Sequence, residues 1–195
     1  MELNEKTVAV DTDFINHIAD TKMDIEDIIT NVKKMLDAFT MIAVVHPLVY
    51  ENEIDKSNVR LNKMFDQKVV EILKLSDIFT GDATEIQYYT FLVKEFYFSL
   101  LGEQLPFSDN EVLTKWIKMR SLGEIHSVSM CLLCGTSVFL SDDKGSKELK
   151  RIVEQKNLGE IQVYNRIELR EIYINKGDSG ISRTNLRKLT HEIIS

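Results

Sequence analysis

The sequence has few of the residues that punctuate, cross-link or anchor a chain. Only two of its 195 residues are proline, eight are glycine and two are cysteine. So little glycine and proline, with no internal repeat and no low-complexity linker, excludes a collagen-like chain. Apolar residues at 44% and charged residues at 28% exclude a disordered tail protein. No apolar run approaches the roughly 18 residues of a membrane helix, so no membrane partner is expected. The opening Met-Glu-Leu-Asn-Glu-Lys lacks a basic segment ahead of an apolar one. No secretory signal is read there, and a cytoplasmic location is expected.

The two cysteines, Cys131 and Cys134, form a CxxC step that suits a redox pair or half a zinc site. The four histidines (17, 46, 126 and 191) are scattered. The pair also lies within an apolar, helix-like run rather than at a helix start, where a thiolate is stabilised. Reduced, buried thiols are the expectation.

Basic charge is short overall, with a formal net charge of −7, but the deficit is uneven. Residues 1–143 carry 13 bases and 24 acids, whereas residues 144–195 carry 11 bases and 7 acids. The total argues against a protein that coats nucleic acid with a broad basic surface. It leaves open an enzyme that holds a cation with carboxylates.

Residues 7–11, Thr-Val-Ala-Val-Asp, read as a buried strand ending in acid. Residues 14–19 suit a short helix. A clearer one spans 24–39, where Ile25, Ile28, Ile29, Val32, Met35, Leu36 and Phe39 recur at three- and four-residue steps. Residues 41–45 form a second strand, closed by His46-Pro47, and Pro47 suits the first turn of a helix over 48–53. The spacing of Leu61, Met64, Phe65, Val69, Ile72 and Leu73 predicts a helix over 58–74. An aromatic-rich helix over 84–101 has Asp82 or Thr84 as its cap and Gly102 at its end. A helix from about residue 108 to 122 is interrupted at Gly123 and resumes over 124–133, with Gly135 as its C-cap. Residues 137–140 and 162–164 are further strands. Helices are expected over 146–155, 165–174 and 185–194. Strands separated by helices predict an α/β fold with a parallel sheet.

Parallel sheets place ligands beyond the C-terminal ends of their strands. Two predicted strands end in acid, in Val10-Asp11-Thr12-Asp13 and Leu140-Ser141-Asp142-Asp143. The second strand leads to a helix start with Glu51 and Glu53, and Gly123-Glu124 opens the helix before the third. Carboxylates that converge resist ionisation unless a cation is present. A hard ion such as Mg²⁺ or Mn²⁺ takes oxygen ligands, keeps waters and offsets charge on a phosphoryl oxygen. The inferred chemistry is metal-assisted phosphodiester hydrolysis. Against it stands the ordinary use of Asp after a strand as a helix cap or turn residue, which suffices for any one of these acids alone.

These motifs resemble the PIN domains, a family of metal-dependent ribonucleases. The resemblance rests on Val10-Asp11-Thr12-Asp13-Phe14-Ile15, on Val44-Val45-His46-Pro47-Leu48-Val49-Tyr50-Glu51, on Gly123-Glu124-Ile125-His126-Ser127 and on Phe139-Leu140-Ser141-Asp142-Asp143-Lys144. It covers roughly residues 7–54 and 120–165. It implies a three-layer α/β/α sandwich around a mainly parallel sheet of four to five strands. A single PIN-like domain would then span 1–195, with a helical insertion at about 55–119. It implies Asp11, Glu51, Glu124 and Asp142 as ligands of Mg²⁺ or Mn²⁺, with Asp143 as a further catalytic acid. Asp13 stands where the family more often has Asn or Ser. Pro47 does not settle whether Glu51 or Glu53 faces the site. Lys147 stands near where the family has Arg, and can hold a phosphate as a point charge. RNA is the implied substrate. An antitoxin or other protein partner and a homodimer are compatible with the family, although the chain exceeds the usual toxin in size.

Lys144, Lys147 and Arg151 follow the Asp-Asp step at helical spacing. They either guide an RNA backbone or form a solvated face paired with Glu148 and Glu154. The aromatics of 84–101, among them Tyr88, Tyr89, Phe91 and Tyr97, are either core or base-stacking platforms. Two other functions stay in view. Asp11-Thr12-Asp13 after a strand also resembles the opening of haloacid-dehalogenase-type phosphatases, although Ile15 replaces their Thr or Val. A non-catalytic PIN-like interaction scaffold is the other.

Overall fold

The computed structural model describes residues 6–117, 119, 121–177 and 180–190. In chain order the elements are β1 (Thr7–Val10), α1 (Thr12–Ala19), α2 (Ile25–Ala38), β2 (Ile42–Val45), α3 (Pro47–Glu53), α4 (Val59–Asp66), β3 (Glu71–Ile72), α5 (Leu75–Ile78) and α6 (Ala83–Leu101). A 3₁₀ turn at Asp109–Glu111 follows, then α7 (Leu122–Cys134), β4 (Val138–Leu140), α8 (Lys144–Lys156), β5 (Gln162–Tyr164), α9 (Arg166–Asn175) and α10 (Arg183–Leu189). Every strand pairing is parallel, in the order β3-β2-β1-β4-β5.

The sheet is apolar on both faces because helices cover both. Side chains of one strand alternate between them. Val8 and Val10 of β1 join a core with Phe14, Ile28, Val32, Met64 and Tyr173, whereas Ala9 joins the opposite core with Leu92, Phe96, Val128 and Val153. In β2, Ala43 and Val45 share the first core and Val44 the second. Helices α1, α2, α4, α9 and α10 cover one face, and α6, α7 and α8 the other. The result is the expected three-layer sandwich. Among the described residues no helix is long and apolar enough to cross a membrane.

Capping chemistry sets several boundaries. The Asp24 carboxylate accepts from the Glu26 N–H and starts α2, and Asp82 accepts from Thr84 N–H to start α6. Gly102 ends α6 in the left-handed backbone region that glycine tolerates (φ 72°).

Several expectations are corrected. The helix predicted over 58–74 stops at Asp66, and Lys68 turns the chain with φ 53°. Beyond it Glu71–Ile72 pairs with Val44–Val45 as an edge strand. The segment 55–119 is therefore not a purely helical insertion, since it supplies β3 and, through α6, part of the second core. The helix predicted from about 108 to 122 is only the 3₁₀ turn, and Gly123 lies inside α7 rather than interrupting a helix. The last predicted helix is seen as Arg183–Leu189, and residues 191–195 lie outside the described residues.

Of the aromatics in α6, Tyr89, Phe96 and Tyr97 are core, whereas Tyr88 and Phe91 are exposed and stack on each other. Cys131 is buried and Cys134 half-buried, and both thiols are free. Burial pushes both up, Cys134 to about 11, opposite to a reactive thiolate.

Candidate active site

The chain runs outward from β1 to β2 and β3, then returns to place β4 on the other side of β1. The strand order thus reverses between β1 and β4. In open parallel sheets a crevice forms beyond the strand ends at such a point. Here a cavity of about 730 Å³ opens there, and five carboxylates line it: Asp11, Asp13, Glu53, Glu124 and Asp143. No basic side chain lines it among the described residues.

Asp11 follows β1 directly and is 2% exposed. One carboxylate oxygen accepts from the Thr12 N–H at 2.8 Å, which makes Asp11 the N-cap of α1. The other accepts from the Ser141 hydroxyl at 2.9 Å. Ser141, beyond β4, in turn accepts from the Ser146 hydroxyl at 2.7 Å and the Asp143 N–H at 3.1 Å. The ends of the two central strands are thereby joined through one hydroxyl. The Asp143 carboxylate accepts from the Gly145 N–H and caps α8.

Glu53 is the last residue of α3. Its Oε2 accepts from the Thr12 hydroxyl at 2.8 Å, and the Gly123 N–H also donates to the carboxylate. With Glu53 in this position a side chain at residue 123 would collide with it: a Cβ on Gly123 would lie 2.5 Å from Glu53 Oε1, and the carboxylate would have to move aside. Glu124 follows at the start of α7 and is 8% exposed.

Burial pushes the Asp11 carboxyl up to about 7, with the nearby charges of Asp13 and Glu53 adding to the effect and the Ser141 hydroxyl opposing it. Glu124 is raised to about 8 by burial, and further by Asp11, Asp143 and Glu53. Glu53 is raised by burial and by Asp13. These groups crowd acids into a poorly hydrated corner that no basic side chain lines among the described residues.

Two site expectations are corrected. Glu51 does not face the cavity: its side chain is 61% exposed and pairs with Lys56. Asp142 points away from it too. Its Oδ2 accepts from His17 Nδ1 at 2.7 Å and from Arg166 Nε, and its Oδ1 accepts from the Arg166 N–H at 3.1 Å. Asp11, Glu124 and Asp143 are brought together as expected. The basic residues after the Asp-Asp step prove to be largely committed, with Lys147 paired to Glu168 at 2.6 Å and Arg151 paired to Glu148. Lys144 is exposed.

No family model, no curated protein and no solved structure matches this chain. Its chemistry is therefore read from its own geometry.

Below the carboxylates lies a second polar group, wholly buried. Tyr89 Oη lies 2.9 Å from His46 Nε2 and 2.7 Å from His126 Nδ1. The Leu48 N–H donates to His46 Nδ1 at 3.2 Å, so the neutral His46 carries its proton on Nε2. The order of donation follows: His46 to Tyr89, and Tyr89 to His126. Burial holds both imidazoles neutral, His126 being pushed down to about 3. His46 caps α3, which carries Glu53, and His126 lies in α7, which carries Glu124.

The fit of a metal ion can be judged from the donor set. All five lining acids offer oxygen, as hard divalent cations require. Their raised proton affinity marks carboxylates short of a positive partner. Among the described residues no three such side chains stand ready-made as a metal cage. Mg²⁺ needs none, because it keeps several waters and takes only one or two carboxylates directly.

Proposed function

We propose that this protein is a Mg²⁺- or Mn²⁺-dependent endoribonuclease of PIN type that hydrolyses RNA phosphodiester bonds. The observation that carries the reading is the gathering of five acids, with no base among the described lining residues, at the strand-order reversal of a parallel sheet. Asp11 and Glu124 would hold the ion, with Glu53 and Asp143 completing the negative wall. A divalent cation bound there supplies a polarised water and offsets charge on the phosphoryl oxygen. Thr12 and Ser141 orient Asp11 by donating to its two oxygens. The same Thr12 hydroxyl fixes Glu53. Such supporting contacts set the direction in which carboxylate lone pairs point.

The test is cleavage of labelled single-stranded RNA in Mn²⁺, Mg²⁺ or EDTA, beside an Asp11→Ala/Glu124→Ala variant. Cleavage with either ion, lost in EDTA and in the variant, is expected. Cleavage that survives EDTA or the double substitution would sink the proposal.

The two glutamates of α3 give a sharper comparison. Glu51→Gln is expected to leave cleavage within about twofold, because an exposed ion pair contributes little. Glu53→Gln is expected to lower it at least roughly tenfold, the scale of losing a group that supports a metal site. Steady-state rates of the two variants check this, and equal losses would contradict the assignment of Glu53.

A further inference from the structure

A second cavity, of about 530 Å³, lies beside the acidic one and has the opposite charge. Four of its lining residues are basic: Lys22, Arg166, Arg187 and Lys188. Asp20 is the one acid among its described lining residues. Lys22, Arg187 and Lys188 are exposed and form no ion pair among the described residues. Thr21 and Thr184 add hydroxyls, and the buried Thr21 Oγ1 has no hydrogen-bond partner among the described residues.

The two cavities adjoin at α1 and at the Asp142-Asp143 step. Asp13 and Asn16 of α1 line the acidic one, whereas His17 and Asp20 line the basic one. Asp143 lines the first, and its neighbour Asp142 is held by His17 and Arg166 of the second. Asp142 thus fixes a cation of the basic cavity at the border of the acidic cluster. Three cations unpaired among the described residues, Lys22, Arg187 and Lys188, and the exposed Thr184 hydroxyl line one cavity, and such a set suits a phosphate group, which takes charge-assisted hydrogen bonds on several oxygens.

We propose that this cavity seats a phosphate of the RNA strand adjoining the one to be cut, and so sets how the strand enters the carboxylate site. The inference rests on the nuclease reading for its substrate, but it concerns binding and is tested without catalysis. It also replaces the face bearing Lys147 and Arg151, whose charges are already paired, as the principal backbone contact.

The experiment measures binding of a short fluorescein-labelled single-stranded RNA in EDTA, with and without a 5′-phosphate. The full chain is compared with Lys22→Ala/Arg187→Ala/Lys188→Ala and with an equal charge change elsewhere, Lys63→Ala/Lys74→Ala/Lys94→Ala. None of the latter three lines either cavity. The first variant is expected to bind roughly tenfold more weakly. Its salt dependence should flatten by about one unit for each phosphate that the cavity no longer neutralises. The second variant is expected to bind like the wild type. Equal affinity for both RNAs assigns an internal phosphate, and tighter binding of the 5′-phosphorylated strand assigns the terminal one. Equal losses in the two variants, no loss in the first, or no RNA binding by the wild type would overturn the inference. If the first variant loses binding while the wild type cuts no RNA, the nuclease reading alone falls. If it keeps binding while the wild type cuts, only the phosphate cavity falls.

Discussion

Replacing Asp11 with asparagine is expected to abolish metal-dependent cleavage and, in the absence of metal, to stabilise the protein. The two effects have one cause. Asp11 is buried among other acids, so its charge is unfavourable until a cation arrives. Losing even an outer partner of a metal ligand typically costs about 10–100-fold. Losing a ligand should exceed that, with a fall of roughly 100-fold or more.

The sign of the stability effect follows from proton linkage. In the unfolded chain these carboxyls titrate near their ordinary values of about 4. In the folded chain burial raises Asp11 to about 7 and Glu124 to about 8. Between those limits the folded state binds more protons than the unfolded state. Stability in EDTA therefore falls as pH rises from about 4 to 8, and levels off above. The asparagine substitution removes one contribution to that fall. At pH 8 in EDTA the variant should be more stable than the wild type by at least about 1 kcal/mol, or roughly 2–4 °C in Tm for a chain of this size. Mn²⁺ should raise the Tm of the wild type more than that of Asp11→Asn. Thermal melts at several pH values, with EDTA or Mn²⁺, check all three. A wild-type Tm that rises steadily from pH 5 to 8 in EDTA would contradict the placement of these acids.

The second large effect is expected from Tyr89→Phe. The substitution removes one oxygen and changes little in shape. Yet it strands the His46 Nε2–H and the His126 Nδ1 acceptor, both of which are fully buried. Leaving a buried polar group unpaired costs about 1–3 kcal/mol, so the pair should lose roughly 2–5 kcal/mol. Urea unfolding monitored by the single tryptophan, Trp116, whose ring stacks on His126 at 5.7 Å, reads this directly. A loss below about 1 kcal/mol would mean that the three groups are not a continuous hydrogen-bonded set.

Much of the sheet was legible in sequence for a physical reason. Strands covered on both faces need continuous apolar runs, and Val8-Ala9-Val10 and Ala43-Val44-Val45 are such runs. Caps were legible as well, because Asp24, Asp82 and Gly102 act through local hydrogen bonds and local backbone geometry. β3 was not, because two residues are too few for a period. Its apolar neighbours Val69 and Leu73 also continue the helical spacing set by Leu61 and Phe65. What stops that helix is the turn at Lys68 and pairing with β2.

In the site, Asp11, Glu124 and Asp143 could be found from their places after strands or at a helix start. The choice between Glu51 and Glu53 could not, since it depends on Thr12, 41 residues away, and on the bare backbone of Gly123. The same holds for Asp142, whose partners His17 and Arg166 lie 125 and 24 residues away. The one local signal for Glu53 was a glycine just before Glu124, and its meaning appears only once α3 and α7 are in contact. The buried His46-Tyr89-His126 group was also missed, because three elements distant in sequence contribute one side chain each.

The two outermost strands have a consequence for how this protein meets others. β3 offers two residues and β5 three, so little unpaired backbone lines either margin of the sheet. Long open margins are where chains add strands to one another and where fibrils start. Seams this short among the described strands disfavour growth by backbone pairing. Among the described residues, the surfaces left for association are side chains on the helices and loops rather than open strand margins.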